Sequence, residues 1–231
     1  MSAGVPAVLA MAGRDGLPHA PLHKVPLYLH ALRALSGSGV GELVVAVDAA
    51  DLERVERDVR RAGVRARVRA GAGWWEHVRE LDTSAGLLVH DALCPLASAD
   101  FLRGVRVDAA ARPDASVLAF RPVTDTVKTV VDSRIQGTID REGLAALVSP
   151  AVVAPDVLAR AVAADDRPPV DDFARLAGWL RERGELGLVR APSLARRVDD
   201  ASAVNLLECV DELARRTRRE PVSDAAVPGT R

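Results

Sequence analysis

Leu87-Leu-Val-His90-Asp91-Ala92 is a short apolar run that ends on a carboxylate, with Gly86 just before it. A run of four bounded in this way reads as a buried strand over residues 87–90. An acid placed directly after such a strand sits at the carboxyl edge of a sheet, where open α/β sheets bind their ligands. Asp91 there has the chemistry to hold Mg²⁺ through one or two oxygens, with phosphates supplying others. A helix cap or a plain loop carboxylate is the alternative. His90 reads as a packed histidine.

Outward from this strand, apolar runs alternate with helical patterns. Upstream lie a helix over 74–81, a strand over 64–68 and a charged helix over 51–62 that Gly63 ends. Before them come the apolar strand Leu43–Val47 and a helix over 26–35 with Pro26 at its start, and residues 5–10 form the first strand. Downstream lie the helix Ala99–Ala110 and a strand over 116–120. Strands alternating with helices predict a mostly parallel, twisted sheet with helices on both faces. The pattern then changes. Val127–Val131 and Arg134–Ile139 read as two strands joined by a turn at Asp132-Ser133. They predict a hairpin arm over about 122–141. Helices over 156–164 and 171–183, a strand over 186–190 and a helix over 201–216 complete a single domain, 1–218. The polar segment 219–231, with two prolines, is expected to be disordered.

Length and composition agree with one α/β domain: 231 residues, 48% hydrophobic and 27% charged. The formal charge of −1 gives no electrostatic case for a nucleic acid or an anionic membrane. No apolar run reaches transmembrane length, and the first residues lack the basic start of a signal peptide. Two cysteines, Cys94 and Cys209, argue for a reducing compartment. The cytoplasm is the expected location. Lys24 and Lys128 are the only lysines against 29 arginines, so lysine-dependent chemistry has two candidates.

Further candidates for chemistry lie at loops. Leu9-Ala-Met-Ala-Gly-Arg14 runs from a strand into a small Gly-containing loop, which can cradle phosphate through backbone N–H groups or be only a turn. Pro122-Val-Thr-Asp-Thr126-Val-Lys128 carries hydroxyls and a lysine at the foot of the hairpin, or simple turn chemistry. Arg141 in Thr138-Ile-Asp-Arg-Glu-Gly-Leu144 can grip a phosphate bidentately or pair with a surface acid. Asp199 or Asp200 caps the last helix, which leaves Arg196 and Arg197 unexplained. Trp74 and Trp75 suit a base stack but fit core packing better. The histidines show no metal-ligand spacing.

Three of these segments, in this order, resemble the methylerythritol-phosphate cytidylyltransferase family: Val89-His90-Asp91-Ala92, then residues 122–128, then residues 138–144. That family typically reads VHDAARP, PVxDTxK and TVDRxGLW, and the opening LAMAGR resembles its LAAAGR. The resemblance covers about residues 5 to 215 and extends to ribitol-phosphate cytidylyltransferases. It implies a Rossmann-like nucleotidyltransferase fold, a homodimer whose arm helps complete the partner's site, and Mg²⁺ as cofactor. The implied reaction joins CTP to a sugar-alcohol phosphate and releases pyrophosphate. By position, Arg14, Lys24 and Arg197 take catalytic places. Ala10, Ala12, Gly13, Gly71, Asp91 and Ala92 take nucleotide places, and His77 stands where the family has a serine near the cytosine. Asp91 takes the metal. Thr126 and Arg141 take acceptor places, with Ser149 in place of a family threonine. The chain departs at Cys94, where the family has the arginine of VHDAARP, and in residues 15–25, which are shorter than the family loop. Those departures leave a second reading, a ligand- or partner-binding homologue with little or no catalysis.

Overall fold

The computed structural model describes residues 4–219. Strand β1 (Ala7–Ala10) is followed by a two-strand hairpin, β2 (Pro21–Leu22) and β3 (Val25–Pro26), and by helix α1 (Leu27–Gly37). Then come β4 (Leu43–Val47), α2 (Leu52–Arg61), β5 (Arg67–Ala70), α3 (Gly73–Arg79), β6 (Leu87–Asp91) and α4 (Ala99–Ala110). The second half holds β7 (Ala115–Pro122), the arm strands β8 (Val127–Val131) and β9 (Arg134–Ile139), and β10 (Ala145–Val153). It closes with α5 (Pro155–Ala164), α6 (Phe173–Arg183), β11 (Glu185–Arg190) and α7 (Ala201–Arg219). The expected disorder of the tail falls outside the described residues, save that Arg219 ends α7. No described helix is long and apolar enough to cross a membrane.

Seven strands form the sheet in the order β11-β7-β10-β6-β1-β4-β5. All run parallel except β10, which pairs antiparallel with both β6 and β7. β10 was not expected from sequence. Pro150 has no N–H to give a ladder, and a proline inside an apolar run argues against an interior strand. The structure solves this with a break in register between Val148 and Ala151, so that Ser149 and Pro150 sit at the irregularity. The fifth strand is also shifted, from the expected 64–68 to Arg67–Ala70.

Both faces of the sheet are covered, which is why β1, β4 and β6 read as unbroken apolar runs. Leu9, Val45 and Leu88 pack against Tyr28, Leu32, Val59 and Leu102 on one side. Val8, Val44 and Val89 pack against Trp75, Leu158, Leu176 and Leu180 on the other. Trp74 and Trp75 are therefore core residues, stacked edge to face at 5.8 Å. A smaller cluster of Leu22, Leu27, Leu93, Val198, Val204 and Leu207 docks α7 across the carboxyl ends of the strands. Gly86 makes the close approach of β6 and β10 possible: its φ is +83°, and a Cβ there would meet the Val153 carbonyl oxygen at 2.4 Å.

Candidate functional site

The parallel register places Ala10 beside Asp91, so the loop after β1 and the acid after β6 share the carboxyl edge of the sheet. Asp91 is 1% exposed. Its Oδ1 accepts from Arg14 Nε at 2.8 Å and from the Leu93 N–H at 3.0 Å, and its Oδ2 accepts from Arg197 Nε at 3.2 Å. Burial alone pushes the carboxyl pKa up. The Arg14 charge and hydrogen bond, the Leu93 N–H and Arg197 outweigh it and hold Asp91 below its ordinary value.

Arg14 is as fully engaged as Asp91. Beyond Asp91, its guanidinium donates to the carbonyl oxygens of Ala12 and Val170, the latter at 2.9 Å. Its side chain is 2% exposed, so it ties three chain segments together. Arg197, 34% exposed, also pairs with Asp199. Beneath this cluster, the buried Ser149 hydroxyl accepts the Asp91 backbone N–H at 2.8 Å and lies 2.5 Å from His90 Nδ1. His90 is wholly buried, and burial drives its pKa down to about 4, so the ring is neutral. Ser149 thus holds Asp91 from below and is closed to an acceptor molecule.

Two cavities open beside the cluster. One, of about 270 Å³, is lined by Ala12, Gly13, Asp48, Gly71, Trp74 and Arg167, with Val170 and Asp171. The other, of about 440 Å³, is lined by Gly13, Leu147, Asp171, Asp172, Phe173 and Arg197, with Ala174. Gly13 and Asp171 border both. Gly13 has φ +73°, and a Cβ on it would stand 3.3 Å from the Asp171 Cβ, so a larger residue here is strained and crowded. The Gly13 N–H donates to Asp48 Oδ2 at 3.0 Å. Met11 and Ala12 give their N–H groups to the Ala46 carbonyl, and Ala92 to that of Ala10. Gly71, at φ +55°, reaches the edge of the first cavity.

The IspD family, described as 2-C-methyl-D-erythritol 4-phosphate cytidylyltransferase, matches residues 18–178. The chain belongs to this family. A relative of that name from Solibacter usitatus is 33% identical over 149 residues, which are 59% of this chain and 60% of the relative. One from Acidobacterium capsulatum is 30% identical over 172 residues, 66% of this chain and 71% of the relative. The chain thus matches less than two thirds of the Solibacter protein's length. Among solved structures, 4-diphosphocytidyl-2C-methyl-D-erythritol synthase of Anaerococcus prevotii superposes with a TM-score of 0.69 at 15% identity, covering 91% of this chain and 99% of that one. The Thermus thermophilus cytidylyltransferase gives 0.67 at 20% identity, covering 89% and 98%. The structural likeness carries the fold: an α/β nucleotidyltransferase sheet with flanking helices.

Within the cytidylyltransferase frame, some expected residues stand away from Asp91. His77 points to Glu42, 2.9 Å away, just before β4 and so at the opposite edge of the sheet from the cavities. Lys24 is exposed at the turn of the β2–β3 hairpin, whose His23 is held by Glu208 and Asp211 of α7. Thr126 and Arg141 are exposed at the base of the arm, with Arg141 donating to the Thr124 carbonyl at 2.6 Å. Arg197 lines the larger cavity, whereas Arg141 lines neither. Cys94 is buried, and its thiol is pushed up to about 12, which keeps it protonated.

Mg²⁺ was expected at Asp91. The carboxylate is ionised, as a cation ligand must be, but Arg14 and Leu93 fill Oδ1 and Arg197 covers Oδ2. As placed, these side chains do not fit an ion held directly by Asp91. Among the described residues, the group of three metal-type ligands within 4.8 Å is His23, Glu208 and Glu212, on the α7 side and already engaged in ion pairs.

Three residues at the site escaped the sequence reading. Asp48 stands just beyond the end of β4 as Asp91 stands at the end of β6, which was the available signal. Asp171 was read only as the start of a helix. Arg121 adjoins the Pro122 motif; half-burial and the neighbouring Arg196 charge lower its pKa, so two like charges lie near each other beside the arm.

Proposed function

We propose that this chain transfers the cytidylyl group of CTP to 2-C-methyl-D-erythritol 4-phosphate and releases pyrophosphate. One observation carries the reading: an ionised, buried Asp91 gripped by Arg14 and Arg197, set beside two adjoining cavities at the carboxyl edge of the sheet. In this reaction an acceptor phosphate oxygen attacks the α-phosphorus of CTP. The bond from that phosphorus to its bridging oxygen breaks, and pyrophosphate leaves with the electron pair. Little covalent chemistry falls to the protein. It positions two anions and offsets their charge.

Arg197 is the cation placed to do so: Asp91 holds its Nε, Asp199 pairs with its Nη1, and the side chain, one third exposed, lines the larger cavity. Arg14 acts through the others: it sets Asp91 and the 170–171 segment in place. Arg121 and Arg196, near each other beside the arm, favour an acceptor phosphate there. Mg²⁺ belongs to this reading as an ion carried by the nucleotide's phosphate oxygens and water. A homodimer formed through the arm, in the cytoplasm, completes it. The arm's exposed Val130, Val131 and Ile135 call for a cover.

The test is pyrophosphate release from CTP with 2-C-methyl-D-erythritol 4-phosphate, run beside other nucleotides and with ribitol 5-phosphate. Turnover dependent on CTP and the first acceptor is expected. The second reading, a binding protein of low activity, is favoured by the burial of Arg14, each of whose three nitrogens bonds within the protein, and by Lys24 standing at the hairpin turn. It predicts saturable CTP binding by calorimetry with no pyrophosphate released.

A further inference from the structure

The loop after β1 is not open to phosphate at every point. Its Gly13 N–H already has an anion, the carboxylate of Asp48 at 3.0 Å. Asp48 is the first residue beyond β4, the strand parallel to β1 and beside it. The Met11 and Ala12 N–H groups bond to Ala46 at the end of that strand, so Asp48 and the loop are held against each other. The contact uses Oδ2. It fixes the orientation of the carboxylate and leaves Oδ1 with its lone pairs, on an exposed side chain that lines the smaller cavity. No cation pairs with Asp48 among the described residues.

Each cavity is lined by two carboxylates and one arginine: Asp48, Asp171 and Arg167 at the smaller, Asp171, Asp172 and Arg197 at the larger. Asp172 spends its Oδ1 on the start of α6, accepting from the Ala174 and Arg175 N–H groups, and Asp91 holds Arg197 in place. Phosphates drawn to Arg197 occupy the larger cavity and leave the sugar to the smaller one. The half of a nucleotide that offers donors, its sugar hydroxyls, suits a fixed carboxylate. In open parallel sheets, an acid at the end of the strand next to the phosphate loop is where a ribose hydroxyl is read. Asp171 is less suited, because it faces Arg175 at 3.5 Å and borders both cavities.

We propose that Asp48 reads the ribose of the bound nucleotide, its Oδ1 accepting the 2′-hydroxyl, and so sets a preference for ribonucleotides over 2′-deoxyribonucleotides. This rests on the site being a nucleotide site, as proposed above, and adds the orientation: sugar toward Asp48 and Gly71, phosphates toward Arg197.

Calorimetric affinities of the intact protein for CTP and 2′-deoxy-CTP test it, with UTP, ATP, GTP and their 2′-deoxy forms alongside. A charged hydrogen bond lost on removing the hydroxyl predicts that the wild type favours CTP by about tenfold or more. Asp48→Ala is expected to bring the two affinities within about threefold of each other by weakening CTP alone. Asp48→Asn keeps a carbonyl for the Gly13 N–H, so it guards against a collapsed loop, and it too is expected to shrink the ratio. An unchanged wild-type ratio in Asp48→Asn overturns the proposal. So does equal tightening of CTP and 2′-deoxy-CTP, since Asp48 would then only repel phosphate. So does a lost preference between CTP and UTP with the ribose preference kept, since Asp48 would then read the base. If another ribonucleotide binds in place of CTP with the same dependence on Asp48, this inference holds and the CTP reading falls. Failure to bind any ribonucleotide removes both.

Discussion

Removing the Arg14 guanidinium leaves Asp91, at 1% exposure, with one cation in place of two, and leaves the Val170 carbonyl without its donor. Breaking a buried pair by deleting one partner costs about 3–5 kcal/mol. Arg14→Ala is expected to lose that much in urea unfolding; a loss below about 1 kcal/mol would mean the pair is solvated. His90 gives a second expectation. Its folded pKa of about 4 lies below the ordinary 6.5. The unfolded chain therefore binds more protons between those values, and stability rises with pH across that window. Full stability is present above about pH 6.5, and roughly 3 kcal/mol is lost as the pH falls to about 4. Asp91, whose folded pKa is also lowered, adds a further loss below its ordinary value of 3.8. His90→Gln should flatten the urea-midpoint profile between pH 6.5 and 4; an unchanged slope would refute this. At this scale the sequence was half legible. Asp91 was readable because it stands at a strand end; Arg197 was left unexplained by its local pattern and was named only through the family resemblance. The roles of Arg14 and Ser149 were not, since both depend on partners 156 and 58 positions away. No local pattern encodes such distances.

The elements were easier to read than the residues, and the reason is burial. Leu43–Val47 and Ala99–Ala110 came out with the bounds that the structure gives them, because their apolar spacing is complete. So did Val127–Val131 and Arg134–Ile139, for a local reason: Asp132 and Ser133 both take positive φ, 49° and 60°, as a two-residue hairpin turn requires. β10 was missed because its proline is tolerated only by a register break that long-range pairing sets. The arm itself is a marginal element. An isolated two-stranded hairpin is barely stable in water. This one leaves Val130 and Ile135, directly opposed across the strands, 57% and 68% exposed. Covering that pair with a second copy is the expected remedy. Light scattering at micromolar concentration should then give about twice the 24.5 kDa chain mass. Val130→Asp combined with Ile135→Asp should return it to one chain while circular dichroism stays unchanged. A wild-type mass of one chain would remove the arm as an interface.

For the molecule as a whole, the sheet sets one edge for everything. β1, β4 and β6 end there at the loop, Asp48 and Asp91, and β7 ends there in the arm. Yet not all the candidate anion binders line the two cavities. Arg197 is held at Asp91, while Arg141 is turned to the Thr124 carbonyl at the base of the arm. A dimer through the arm resolves this if Arg141 serves the partner's site. Each arginine should then matter alone: a charged hydrogen bond contributes about 1.5–3 kcal/mol, so Arg141→Ala and Arg197→Ala should each lower turnover about ten- to a hundredfold. Mixing the two variants separates action in the same chain from action across the dimer. If Arg141 acts on the partner, a mixed dimer has one site with both arginines and one with neither. Half of randomly re-formed dimers are mixed, so activity should recover to about a quarter of the wild-type value. If Arg141 acts within its own chain, every site in the mixture lacks one arginine, and mixing restores nothing. Recovery requires exchange of subunits, so the variants are unfolded together and refolded, with each refolded alone as the reference. Activity no higher than the mean of those references would confine the site to one chain and leave the arm without a part in the partner's site.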